Sequence, residues 1–513
     1  MKQKIILIAT SLTVVFGSCT KLDEKLNGET SPSETGGTAN VTALLTGAYN
    51  SFRSMYQDQG NLLALGEMST DAMLGPTRGG DWDDNGAWRV LHTHRFDGDN
   101  VHVRDVFSGL GGVNYAATDI LRFSPTPQQA AEARFLRALA QYLLLDLFDQ
   151  VPYREPGESV VLPSQVRKGT AALDYIIGEL NAIIPDLPTA PVTKANKDAA
   201  RCLLMKCYLN KGVYANREAP TFDAADMQQV ITLADQVMAG PYAFAANYFD
   251  NFAPNNGTIG SENIFTQENI GGVSSGGLRS RWYMTMHYNQ QPSGWNGFTS
   301  LSDFYNKFEA SDVRRGVAYN YGSYPVNGHV NPANAVNVGF LIGQQYHMVT
   351  GAALQDRTGA PLAFTPDVKI IEKGTNLEVT GIRAYKTPID YQFTENGNVD
   401  NDNPIFRLAD VMLMKAEAQL RTNNAAGGLA IVNTIRANRG ASNLASLTEE
   451  TMLDERAREM YYETWRRQDL VRFGKFLDPM QEKSETSDPK YLLFPIPNGQ
   501  LAANPNLVAN PGY

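Results

Sequence analysis

The chain has 513 residues, enough for one large domain or several ordinary ones, and at 43% hydrophobic residues it can bury a sizeable core. Only 19% of residues are charged, the net charge is −10 and no Lys/Arg block stands out, all of which argues against a nucleic-acid partner. Polarity comes instead from amides, hydroxyls and 23 tyrosines, a mix suited to neutral polar ligands.

In chain order, Lys2 and Lys4 precede an apolar run over residues 5–16. As a helix that run spans roughly 18 Å, short of the roughly 30 Å of a bilayer core, so it reads as a signal peptide (residues 1–18) and not as a membrane span. It ends in "VFGSC", which resembles a bacterial lipobox with Phe16 where leucine is usual; Cys19 is then the lipidated first residue of the mature protein. Residues 19–39 crowd Gly, Ser, Pro and Thr with no apolar period, the composition of a flexible tether. Order is expected from about Asn40, with residues 40–513 as a single domain.

Helical periods dominate both ends of that domain. "VTALLTGAYNSFRSMY" opens it, and "TPQQAAEARFLRALAQYLLLDLF" has Thr126 as N-cap, Pro127 in the first helical position and Gln129 to close a capping box. "TAALDYIIGELNAII", "DAARCLLMKCYLNKGVY" and "ADMQQVITLADQVM" follow. The C-terminal part adds "RLADVMLMKAEAQLR", "GGLAIVNTIRANRG" and one long helix over "TEETMLDERAREMYYETWRRQDLVRF". Paired helices joined by short connections predict a mostly α, tetratricopeptide-like superhelix. Cys202 and Cys207, five apart on a helix, point about 140° from each other and read as core residues, not a metal or disulfide pair.

The frame, residues 40–243 and 404–513, is interrupted at about 244–403 by a stretch rich in Gly, Asn, Tyr and Pro. With residues 57–105 it predicts long irregular loops on a rigid scaffold, a binding architecture. Two loop clusters concentrate aromatic rings beside amides and acids. In "RGGDWDDNGAWRV", Trp82 and Trp88 supply apolar faces, and Asp83, Asn85 and Arg89 hydrogen-bonding groups. In "SRWYMTMHYNQQPSGWNGF" the faces are Trp282, Tyr283, Tyr288 and Trp295, next to Asn289, Gln290 and Gln291. Sugar rings stack their C–H faces on such rings and bond their hydroxyls to such rims, so these residues are the expected oligosaccharide platform.

Other chemistries fit less well. Asp81, Asp83, Asn85 and Gly86 begin like a calcium loop, but position twelve is His92 where an EF-hand needs a bidentate acid; calcium at a looser site is the alternative, and no cofactor is otherwise expected. "HTHRF" with His102 lacks the further ligand that zinc requires. "GVSSG" matches a nucleophile elbow around Ser274 but lies in a Gly/Ser loop without the flanking strand and helix. No motif selects a pair of glycosidase carboxylates. Glu455, Glu459 and Glu463, four apart on one expected helix face, would repel; Arg456, Arg458, Arg466 and Arg467 are near enough in sequence to neutralise them, a structural clamp.

Several segments together resemble one family. "FDQVPY", "DAARCLLMKCYLN", "DVRR", "NPIFRLADVMLMKAEA", "ERAREMYYETWRRQDLVRFGKF" and the ending "LFPIPNGQLAANPNLVANPGY", in this order behind a lipobox, are similar to the SusD/RagB family of surface glycan-binding lipoproteins of Bacteroidetes-type bacteria. "KLDE" after Cys19 is similar to that group's surface-export signal. The resemblance implies a SusD-like fold, ligand loops in the early region and the middle insertion, and no catalysis. It also implies anchorage on the outer membrane facing the exterior, and delivery of oligosaccharides to a SusC-type TonB-dependent transporter. RagB-type relatives make peptide or another nutrient the alternative ligand, and a glycoside hydrolase is the rival from another class.

Overall fold

The computed structural model describes residues 40–329 and 334–513. The signal peptide, Cys19 and the tether lie outside the described residues. Val41–Tyr513 forms one compact unit.

Eight helices carry the frame: α1 (Val41–Gln57), α2 (Val101–Ile120), α3 (Pro127–Phe148), α4 (Gly169–Ile183), α5 (Lys197–Leu209), α6 (Ala224–Met238), α7 (Leu408–Arg421) and α8 (Ala425–Asn438). Each packs against the next in the chain, so every pair buries its apolar stripe on its neighbour, as in a tetratricopeptide-like superhelix. Helix α3 sits at the centre. Its start is fixed by Thr126, which accepts from Gln129 N at 3.3 Å while the Gln129 side chain accepts from Thr126 N at 3.1 Å. Its end is set by Asp149, left-handed at φ 60°. Cys202 and Cys207 are buried in α5 and unpaired with each other, and burial pushes both thiols up.

Helix α2 was not legible in the sequence. Its Asn100 cap accepts from His102 N and Val103 N at 3.0 and 3.2 Å. Its interior, however, holds Gly109, Gly111 and Gly112, each about 1 kcal/mol less favourable than alanine in a helix. Gly109 has a packing reason: a Cβ there would lie 2.3 Å from the Met55 sulfur of α1.

The expected long C-terminal helix is two. Glu449–Met460 (α9) and Arg466–Arg472 (α10) are separated by a turn in which Tyr462 and Thr464 adopt left-handed φ of 60° and 72°. The turn is held from outside: Glu67 accepts from Thr464 N at 2.8 Å. Glu67 is fully buried, and that burial pushes its carboxyl up to about 8.

The acidic clamp exists, with different partners. Glu459 contacts Arg407 at 2.6 Å and Arg314 and Arg439 at 2.9 Å; Glu455 contacts Arg314, Arg436 and Arg458; Glu463 contacts Arg407 and Lys386. Of the four arginines expected from sequence proximity, only Arg458 takes part. Arg456 turns to Asp410 and Asp469, Arg466 to Asp71 and Arg467 to the Leu492 carbonyl. A neighbour one residue along a helix points about 100° away, so the clamp draws its cations from segments remote in sequence, including the "DVRR" arginine Arg314. Burial alone would raise the Glu459 carboxyl; Arg439, Arg407 and Arg314 hold it well below the usual carboxylate range.

The middle region is not structureless. Asn263–Gln267 pairs antiparallel with Asn403–Arg407, and Gly316–Val317, Val338–Leu341 and Arg383–Tyr385 form a three-stranded sheet. It also has its own small apolar core, in which Trp282 packs with Leu278, Met286, Tyr385 and Ile389. The C-terminal tail lies over α3: Phe494 N donates to Leu147 O at 2.8 Å, and Asn510 to the Phe148 and Phe494 carbonyls at 3.0 and 2.9 Å.

Candidate functional site

The two loop clusters singled out in the sequence meet. Arg78 joins them. Left-handed at φ 47° and buried, it donates to Asn296 O at 2.9 Å and Leu377 O at 2.9 Å, and pairs with Glu372 at 3.1 Å. Burial lowers its guanidinium to about 10 against the pull of Glu372. One side chain thus ties the early loop to two separate stretches of the insertion. The second cluster returns on itself through Trp295 N to Tyr283 O at 2.7 Å and Gly297 N to Met284 O at 2.7 Å.

On this staple stands a group of partly open rings. Trp82 donates its indole N–H to Trp295 O at 3.0 Å and meets Phe298 edge-on at 5.4 Å. Its ring lies so close over Gly297 that a Cβ there would come within 2.7 Å of it. Tyr283 packs edge-to-face on Trp295 at 5.7 Å, and Trp295 itself is 48% exposed. Tyr288 is half-buried, with the Arg357 guanidinium 4.0 Å from its ring centre; Arg279 covers Tyr283 at 4.6 Å. Asn289 is exposed at the rim, while Gln290 is buried and accepts from His287 N and Tyr385 OH at 2.8 and 2.9 Å.

Two expected platform residues belong to the core instead. Trp88 is 6% exposed: it stacks on His102 at 3.9 Å, packs on Phe298 at 4.9 Å and donates to Asp84 at 2.6 Å. Trp282 has no exposed surface and is the centre of the insertion's own apolar cluster. Neither can offer a ring face to a ligand. Asp83 and Arg89 pair with each other at 2.7 Å, and that contact raises Arg89; Asn85 is exposed in a left-handed turn at φ 55°. The arginines over Tyr283 and Tyr288 were not foreseen. Arg279, four residues before Tyr283, was within reach of a helical-spacing argument; Arg357 comes from a remote loop and left no sequence signal.

The competing chemistries meet protein partners. In "DWDDNG", Asp83 and Asp84 are turned to Arg89 and Trp88, and His92 at position twelve is buried with Nε2 on Gln481 O at 2.9 Å. His94 bridges Ser487 and Ser69 O, and burial lowers it to about 3; His102 bonds Gly60 O. Among the described residues no group of three His, Cys, Asp or Glu is placed to hold a metal. Ser274 closes a tight turn on Ile270 and accepts from Arg53 at 3.3 Å.

A frame of serially packed helices thus carries a group of partly open aromatic rings on stapled loops. The SusD family's model matches residues 261–513. The starch-binding protein SusD of Bacteroides thetaiotaomicron is 28% identical over 437 residues, covering 77% of this chain and 75% of that protein. By these matches the chain is SusD-like, a binding protein rather than an enzyme. The same fold is found in a SusD superfamily protein of Parabacteroides distasonis, at TM-score 0.70 and 18% identity over 94% of this chain and all of the other. A laminarin-binding SusD-like protein matches at TM-score 0.67 and 20% identity, over 92% and 99% of the two chains.

Proposed function

We infer that Trp82, Tyr283, Tyr288 and Trp295 form the face on which this protein captures a neutral oligosaccharide. The observation that carries the reading is the convergence of Trp82, Tyr283 and Trp295: rings from two loops some two hundred residues apart in sequence meet through the Trp82–Trp295 hydrogen bond and the Tyr283–Trp295 contact, with Tyr288 on the same loop as the last two. Uncharged sugars gain little from charge steering, so affinity must come from ring faces and fixed polar rims. The starch- and laminarin-binding relatives support it, since both polymers are uncharged glucans. A glycan array with a peptide pool as control tests it. Binding to neutral glycans is expected; binding to peptides alone would reassign the ligand class.

The lipobox and the family support a role at the outer membrane, with Cys19 lipidated and the oligosaccharide passed to a SusC-type TonB-dependent transporter. Cys19→Ala is expected to abolish labelled fatty-acid incorporation and release the protein from membranes. Continued labelling and membrane retention would remove Cys19 as the anchor.

A further inference from the structure

Beyond the platform, the insertion encloses a cavity of ≈ 340 Å³, lined by Tyr319, Tyr321, Tyr324, Tyr391, Asn337 and Met348 among others. Its size is at the lower end for small-molecule clefts, about 300–1,000 Å³. A shallow cleft adjoins it, sharing Asn337, Met348 and Tyr391 with it and reaching Gln290 and Gln291. Those two glutamines fall between Tyr288 and Trp295 in the chain, so the cleft reaches the loop that carries these two rings.

We propose that the tyrosine-lined cavity is a second sugar subsite, which takes a neutral residue at the end or branch of an oligosaccharide lying on the Trp82–Trp295 platform. The proposal rests on the glycan-binding reading above.

The lining is built and held. Tyr319 donates its hydroxyl to Asp250 and Tyr324 to Asp390, each at 2.9 Å. These bonds fix both rings and leave hydroxyl lone pairs for a ligand. Asn337 is clamped to Tyr319 through both its amide atoms, at 2.6 and 3.1 Å. Tyr319, Tyr321 and Tyr391 run edge-to-face at 5.2 and 5.8 Å, and His329 stacks on Tyr391 at 4.3 Å. The half-buried rings of Tyr321 and Tyr324 remain as the apolar surface. Among the described residues no lysine or arginine lines the cavity, and Asp250 and Asp390 behind its wall are engaged by the Tyr319 and Tyr324 hydroxyls. A carboxylated or sulfated sugar would find no cation there, so the chemistry selects an uncharged ring.

The test is calorimetry with short and long members of the maltose and laminaribiose oligosaccharide series on wild type, Tyr321→Ala and Ala318→Trp. Ala318 is an exposed residue of the cavity wall, so the second variant fills the space without touching the core. Both variants are expected to lose at least about tenfold in affinity for the long oligosaccharide and to bind the short one like wild type. Trp295→Ala should weaken both. If long ligands bind the two cavity variants as tightly as wild type while Trp295→Ala still weakens them, the second subsite is wrong and the platform stands. If no member of either series binds wild type, the glycan reading fails and takes the subsite with it.

Discussion

Glu459→Ala is expected to lower the melting temperature markedly and to leave glycan binding by the folded protein intact. The substitution removes the anion that contacts Arg314, Arg407 and Arg439 at 2.6–2.9 Å, in a site with no solvent access. Breaking a buried pair from one side costs roughly 3–5 kcal/mol, a large share of the about 5–15 kcal/mol that holds a domain folded. Some compensation persists, since Arg314 keeps Asp312 and Glu455, Arg407 keeps Glu463, and Arg439 keeps Glu262. The loss therefore belongs at the lower end of that range. A melting curve measured by circular dichroism checks it, and one superimposable on wild type would show that the clamp contributes nothing. The folded fraction should bind glycan normally, because Glu459 has no contact with the platform rings.

The clamp also shows where sequence reasoning succeeds and stops. That Glu455, Glu459 and Glu463 needed cations was legible from their spacing alone. Which cations was not, because helix geometry sends Arg456, Arg466 and Arg467 to other faces and fetches Arg314, Arg407 and Arg439 from elsewhere. The capped helices, α3 above all, were legible because local signals and burial pattern agree. Helix α2 escaped because its three glycines lower local propensity while tertiary packing on α1 compensates, Gly109 making room for Met55. The break between α9 and α10 escaped because residues 461–465 contain no Gly or Pro to mark it, and nothing in the sequence hints at the bond from Glu67 that holds the turn.

The candidate site divides in the same way. Composition picked out two aromatic-rich loops, and those loops do meet. Composition could not say which ring of a Trp-rich loop packs inward. Trp88 and Trp282 went to the core because His102, Phe298 and the cluster around Met286 and Tyr385 offered apolar partners, while Trp295 had none to cover its outer face. Arg78, the residue that joins the loops, looks in the sequence like any arginine beside two glycines. Its role depends on carbonyls at 296 and 377 that only the fold brings within reach.

Trp295→Ala and Trp82→Ala are expected to lower glycan affinity by a factor of roughly 30 each, the loss of about 2 kcal/mol typical of a hot-spot aromatic. Trp295 offers the most open ring, and Trp82 holds it in place through the bond to its carbonyl. Trp295 is largely exposed, so its variant should melt close to wild type, whereas Trp82 packs on Phe298 of the main core and its loss should lower the melting temperature somewhat. Calorimetry on wild type and both variants, using the strongest glycan from the array and repeated in chelator, is the most direct test. Clear binding by wild type, binding near the detection limit for both variants and no effect of chelator are expected. Variants that bind like wild type would contradict the platform, and binding abolished by chelator alone would return "DWDDNG" to the role of a metal loop.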